Sequence, residues 1–200
     1  MQNQEPAPSF SRRRIIATAP LVSLAAISAA APAVESTFSP SQLRLIEAWV
    51  DRLIPTNENG PGARECGVPV YIDRSFAGAL AGERTAFTAG LAATDALARS
   101  RHGTVFAELD TAKKDEVLAA MENNEAAGFK PDSRTFFYRV RQLTLEGMFG
   151  DPFYGGNRGF GGWDLIRYPG PRMAVSADDQ NLKQPIKPLR TSAHGGRHGD

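Results

Sequence analysis

An all-α domain is the fold class this sequence predicts, and three observations carry it. Apolar residues recur at helical spacing in five separate segments between Ser39 and Gly147. The stronger segments open on capping residues or stop at glycine or proline. No stretch alternates apolar and polar residues with the period of two that a half-buried strand requires.

The first helix starts at Ser39-Pro40-Ser41-Gln42, which supplies an N-cap, a proline at the first helical position and a glutamine at the third. Leu43, Ile46, Trp49, Val50 and Leu53 follow on one face, and Pro55 ends the run. A loop of Asn, Gly and Pro from Thr56 to Ala63 leads to a weaker helical segment, Val68 to Leu80, with Val70, Phe76 and Leu80 apolar. Glu83 to Arg101 carries Phe87, Leu91, Thr94, Leu97 and Ala98 as a stripe and stops at Gly103. Phe106 and Leu109 form a short turn, and Asp110 or Thr111 caps a helix bearing Val117, Leu118 and Met121. Ser133 opens the last long helix, with Phe136, Phe137, Val140, Leu143 and Thr144 inward and Gly147 near its end. The expectation is five helices in a single irregular bundle.

The chain changes character after Gly147. Nine of the 17 aromatic residues and eight of the 19 glycines lie between Phe136 and Gly170, so this segment is expected to pack on its own rings. Beyond Pro171 come Lys183, Pro185, Lys187, Pro188, Arg190, His194, Arg197 and His198, with little to bury, and residues 172–200 are expected to be extended or disordered.

Residues 1–33 read as a leader rather than part of the fold. Ser11-Arg12-Arg13-Arg14 precedes a run of about 17 small or aliphatic residues, Ile15 to Ala31, closed by Ala31-Pro32-Ala33. The pair Arg12-Arg13 after Ser11, with an alanine-rich run behind it, resembles a twin-arginine export signal. A positive-inside membrane anchor is the other reading of the same pattern, set against it by a run at the lower edge of spanning length. The domain boundaries expected are therefore 1–33 for the signal, 34–171 for the helical domain and 172–200 for the tail.

Charge and cysteine count exclude several functions. The 200 residues carry a net charge of +1; removing 1–33 takes away three arginines and one glutamate and leaves −1, which excludes a strongly basic nucleic-acid binder on bulk charge. One cysteine excludes an internal disulfide framework, a self-held iron–sulfur cluster and a Cys-x-x-Cys-His haem attachment.

The remaining candidates each have a plain structural reading. His102, beside Gly103 at a helix end, complements the helix dipole. His194 and His198 have no carboxylate or cysteine at metal-ligand spacing. Glu83, Asp95, Glu108, Asp110, Asp115, Glu116, Glu122 and Glu125 suit solvent faces and first turns. Gly155 to Gly162 superficially resembles a phosphate-cradling loop, but no strand precedes it, no helix clearly follows, and Lys-Ser/Thr is missing. Three readings are open for Cys66: buried filler, free thiol, or half of an intermolecular disulfide.

Several motifs together resemble the small subunit, subunit 3 or gamma, of gluconate 2-dehydrogenase. They are Asp51-Arg52-Leu53-Ile54-Pro55, Gly60 through Val68, Tyr71-Ile72-Asp73, Gly90-Leu91, Phe106-x-x-Leu109, Phe136-Phe137 and Thr144-x-Glu146-Gly147-Met148-Phe149. Asp151-Pro152-x-Tyr154-Gly155-Gly156-Asn157 and Gly162-Trp163-Asp164-Leu165-Ile166-x-Tyr168-Pro169-Gly170 complete the likeness and are its most specific part. It spans residues 38 to 171. The resemblance implies a periplasmic, membrane-associated complex of three chains: a large FAD-containing dehydrogenase subunit, a cytochrome c subunit carrying haem c, and this small partner. It implies no catalytic, cofactor-binding or metal-binding residue in this chain. It implies a docking surface made of Tyr154, Gly155, Gly156, Asn157, Phe160, Trp163 and Tyr168. The twin-arginine machinery would then export the folded flavin subunit as a passenger. The second function class in play is a freestanding periplasmic helical enzyme or ligand-binding domain. The sugar acid or polyol oxidised belongs to another chain's pocket and is not read from this sequence.

Overall fold

The computed structural model describes residues 36–181 and 183–195. The expected export signal, with Ser11, Arg12 and Arg13, lies outside the described residues, as do Arg197 and His198.

Six α-helices and no strand occur among the described residues. They are α1 (Pro40–Leu53), α2 (Val68–Ala77), α3 (Arg84–His102), α4 (Thr111–Glu122), α5 (Ser133–Phe149) and the short α6 (Gly161–Leu165). Single 3-10 turns sit at Ala81–Glu83, Phe106–Glu108, Pro152–Tyr154 and Arg158–Phe160. The all-α expectation holds. The helix count rises to six because the glycine-rich segment contains a helix of its own.

Local chemistry sets the helix ends. Ser39 Oγ accepts from the Gln42 amide at 3.3 Å while Gln42 Oε1 accepts from the Ser39 amide at 2.9 Å, a complete capping box. Asp110 caps α4 through the Lys113 amide at 2.9 Å. α5 opens at Ser133 as expected, and Asp132 caps it, its Oδ1 accepting from the Thr135 amide at 2.8 Å. Ser133 is buried one position later, and its hydroxyl donates to the Met121 carbonyl at 3.1 Å, tying α5 to the end of α4. Each such cap is worth about 1 kcal/mol.

α1 and α5 form the centre, since α1 packs on α2, α3, α4 and α5, and α5 packs in turn on α2, α4 and α6. Trp49 is fully buried, with the rings of Phe106, Phe136 and Phe137 at 5.9, 6.2 and 5.7 Å from its own. Phe38, Phe76 and Phe87 make a second aromatic group that reaches Phe136. Such pairs add roughly 0.5–1.5 kcal/mol beyond their buried area. A Cβ at Gly90 would collide with the Phe136 ring, so the absent side chain on α3 is what lets that ring lie against its backbone. Every member of the core cluster falls between Phe38 and Met148. Outside it, Arg52 of α1 pairs with Asp115 of α4 through two hydrogen bonds, at 2.8 and 2.9 Å, and Arg139 pairs with Glu83 at 2.7 Å.

Candidate functional site

The segment after α5 is built by two short polar side chains. Asp151 caps the Pro152–Tyr154 turn through the Phe153 amide at 2.9 Å. Asn157 takes the left-handed conformation, φ 46°, which its short amide tolerates. It is fully buried. Its Nδ2 donates to the Gly150 carbonyl at 2.9 Å, and its Oδ1 accepts from the amides of Gly162 at 2.9 Å and Trp163 at 3.4 Å. One side chain thus joins the end of α5 to the start of α6. Gly162 has no room for a Cβ, which would strike the Met148 carbonyl oxygen. Trp163 closes the arrangement by donating from Nε1 to the Phe149 carbonyl at 2.9 Å.

This packing redraws the expected docking surface. Asn157, Gly156, Phe160 and Trp163 are buried within the chain itself, with Trp163 only 3% exposed. Their role in the free chain is to hold the segment's shape. Tyr154, 49% exposed, and Tyr168, 39% exposed, face outward, and Gly155 is half-buried. Of nine large hydrophobic side chains exposed among the described residues, eight lie between Phe153 and Leu189: Phe153, Tyr154, Ile166 and Tyr168 on this segment and four on the tail behind it.

Cys66 is 1% exposed, with Sγ 3.9 Å from the Pro61 carbonyl oxygen and the Gly161 backbone against it. Burial, and next the Glu65 carboxylate, push its thiol above the ordinary value. In the free chain the thiol is enclosed, which fits the buried-filler reading. A helix does follow Gly155–Gly162, but α6 has five residues and no strand precedes it, so the phosphate-loop likeness stays empty.

The tail is extended as expected, without helix among its described residues, but it is not detached. It returns over the segment: the Leu189 amide donates to the Pro169 carbonyl at 2.8 Å and the Ala193 amide to Asp151 Oδ2 at 2.8 Å.

Beside the segment after α5 lies a cleft of about 460 Å³ lined by Tyr71, Arg74, Ser75, Glu146, Asp151 and Tyr154, among others. Sequence reasoning missed it, because Tyr71 and Glu146 are 75 positions apart. Tyr71 Oη donates to Glu146 Oε2 at 3.0 Å, and Gln142 Nε2 donates to Glu146 Oε1 at 2.8 Å. Burial and the Glu146 carboxylate push the Tyr71 phenol up. Burial pushes the Asp151 carboxyl up as well, but hydrogen bonds from Ser192 and the Phe153 and Ala193 amides, with the His194 charge, hold it below the ordinary 3.8. Both carboxylates are thus spent on donors of this chain. His102 stands away from the cleft, with Nε2 3.6 Å from Glu116 Oε2, too long for a hydrogen bond. No group of three His, Cys, Asp or Glu suited to a metal ion occurs among the described residues.

The fold and the cleft define a helical domain whose two cleft carboxylates, Glu146 and Asp151, are engaged by donors of the chain itself. A family model described as gluconate 2-dehydrogenase subunit 3 matches residues 40–170, and the chain belongs to that family. The family's description marks it as one subunit of a multi-subunit gluconate dehydrogenase. Comparison with curated proteins and with solved structures gives no match.

Proposed function

We propose that this chain is the non-catalytic small subunit of a periplasmic, membrane-associated, FAD-dependent gluconate 2-dehydrogenase-type complex. It binds the flavin subunit and supports that subunit's maturation and twin-arginine export. The observation that carries the reading is the set of exposed apolar side chains on the segment after α5, with Tyr154 and Tyr168 turned outward. Aromatic side chains held on a rigid frame are the usual anchors of a protein interface.

The cofactors belong to the partners on this reading. Its one cysteine is buried, which leaves no attachment for haem c. The described residues have no strand-to-helix glycine turn that would seat a dinucleotide. No reaction step is therefore assigned to this chain's residues.

The test is isolation of the complex from the cell envelope, followed by mass spectrometry of the intact assembly. A large flavin subunit and a cytochrome subunit are expected with this chain, and deleting its gene is expected to strand the flavin subunit in the cytoplasm. A large subunit that is exported and active without it sinks the reading. The cleft at Tyr71 and Arg74 favours the second reading, a ligand-binding or enzymatic domain, which predicts substrate turnover by the purified chain alone.

A further inference from the structure

The tail shows what chemistry the outer surface of the segment from Asp151 to Pro169 accepts. It lies beyond the family match, which ends at residue 170, and contributes nothing to the core cluster. Yet it is seated at several points. Leu189 bonds to the Pro169 carbonyl, Arg190 pairs with Asp164 and stands 5.9 Å from the centre of the Phe160 ring, Ala193 bonds to Asp151, and the His194 ring lies 4.8 Å from that of Phe153. Ser192 is buried beneath this run. The surface therefore takes an extended segment, with a cation for Asp164 and backbone amides for the Pro169 carbonyl and Asp151.

The fit is incomplete. Arg172 Nε and Arg190 Nη1 are buried in the tail without an acceptor, and each such donor weighs against the seated state. The exposed side chains of Ile186, Leu189, Val175 and Met173 add apolar area that the free chain leaves in water. A segment that puts no residue into the core cluster and leaves buried donors unpaired is one that a better-fitting segment displaces.

We infer that the surface framed by Asp151, Asp164 and Pro169 docks an extended segment of the partner subunit that carries a cation for Asp164, and that the chain's own tail holds this place until the partner arrives. The inference rests on the complex proposed above and adds the site and the chemistry of contact. Asp164 gives the carboxylate that a single cation of such a segment needs, Asp151 an acceptor for its backbone amide, and the exposed Tyr168 gives it apolar ground.

The experiment is amide hydrogen exchange on the full chain, free and in the complex purified from the cell envelope. Leu189 and Ala193 amides are expected to exchange slowly in the free chain and at least tenfold faster in the complex. Arg190→Ala is expected to speed their exchange in the free chain. Co-expressed with the wild-type subunit, it is expected to enter the complex in several-fold excess. Tail amides that stay protected in the complex, or are unprotected in the free chain, overturn the inference and leave the proposed function standing. An Arg190→Ala chain that enters no better than wild type also overturns it. A chain recovered with no partner sinks the proposed complex itself.

Discussion

At the scale of single residues, Asn157 does more for the candidate face than the exposed aromatics do. It accepts two backbone hydrogen bonds, donates a third, and occupies a left-handed conformation at full burial. Asn157→Ala leaves the Gly150 carbonyl and the Gly162 amide without that partner and should cost about 2–4 kcal/mol, read as a shift in urea midpoint. Asn157→Gly keeps the backbone freedom and loses only the hydrogen bonds, so it should fall short of the alanine variant by about 1 kcal/mol. Equal losses would mean that the conformation carries no strain. Asp151 is the second residue of consequence. Its carboxyl titrates lower when folded than the ordinary 3.8, so its contribution is present above that value and is lost as pH falls through the depressed one. Stability of the wild-type chain should therefore fall more steeply below pH 4 than that of Asp151→Asn, measured by urea unfolding across the acid range. Parallel curves would show that the Ser192, Phe153 and Ala193 contacts do not persist in solution.

At the scale of elements, the helices were legible wherever one face repeated behind a cap. Ser39 with Gln42 announced α1, and Gly103 ended α3 through a left-handed cap, φ 81°. What the sequence hid was contact between distant positions. Nothing local shows that Phe136 lies on Gly90, that Tyr71 meets Glu146, or that Trp163 is inward while Tyr168, five residues on, is outward. The aromatic segment looked like a surface because rings in a glycine-rich loop carry no periodicity to say which of them face in. The tail looked free because a docked extended segment leaves no apolar pattern when it binds by amides and charges. The Gly90 contact can be tested directly. Gly90→Ala drives a methyl group into a ring fixed by Trp49, Phe87 and Phe129, and should cost about 2 kcal/mol or more. Gly82→Ala, where no atom lies within 4 Å of the new carbon, should stay within about 0.5 kcal/mol of wild type. Thermal unfolding of the pair decides the point, and a small effect at Gly90 would mean that α3 and α5 can move apart at little cost.

At the scale of the whole molecule, the proposed role joins a folded interface to a leader at the opposite end of the chain. A flavin subunit must acquire its cofactor where the cofactor is made, which requires folding before export. A twin-arginine signal serves folded cargo. If the small subunit supplies that signal, its affinity for the partner must outlast passage through the membrane. That demands slow dissociation rather than fast association, and slow dissociation comes from buried anchors on a preorganised frame. The Asn157 and Trp163 network supplies such a frame behind Tyr154 and Tyr168. Two variants separate the halves of this argument. Arg12→Lys with Arg13→Lys should hold both this subunit and the flavin subunit in the cytoplasm, still bound to one another. Tyr154→Ala with Tyr168→Ala should let this subunit cross alone while the flavin subunit stays behind. Fractionation followed by immunoblotting for both chains reads the two outcomes. A flavin subunit that reaches the periplasm in the double-lysine strain would show that it does not travel on this leader.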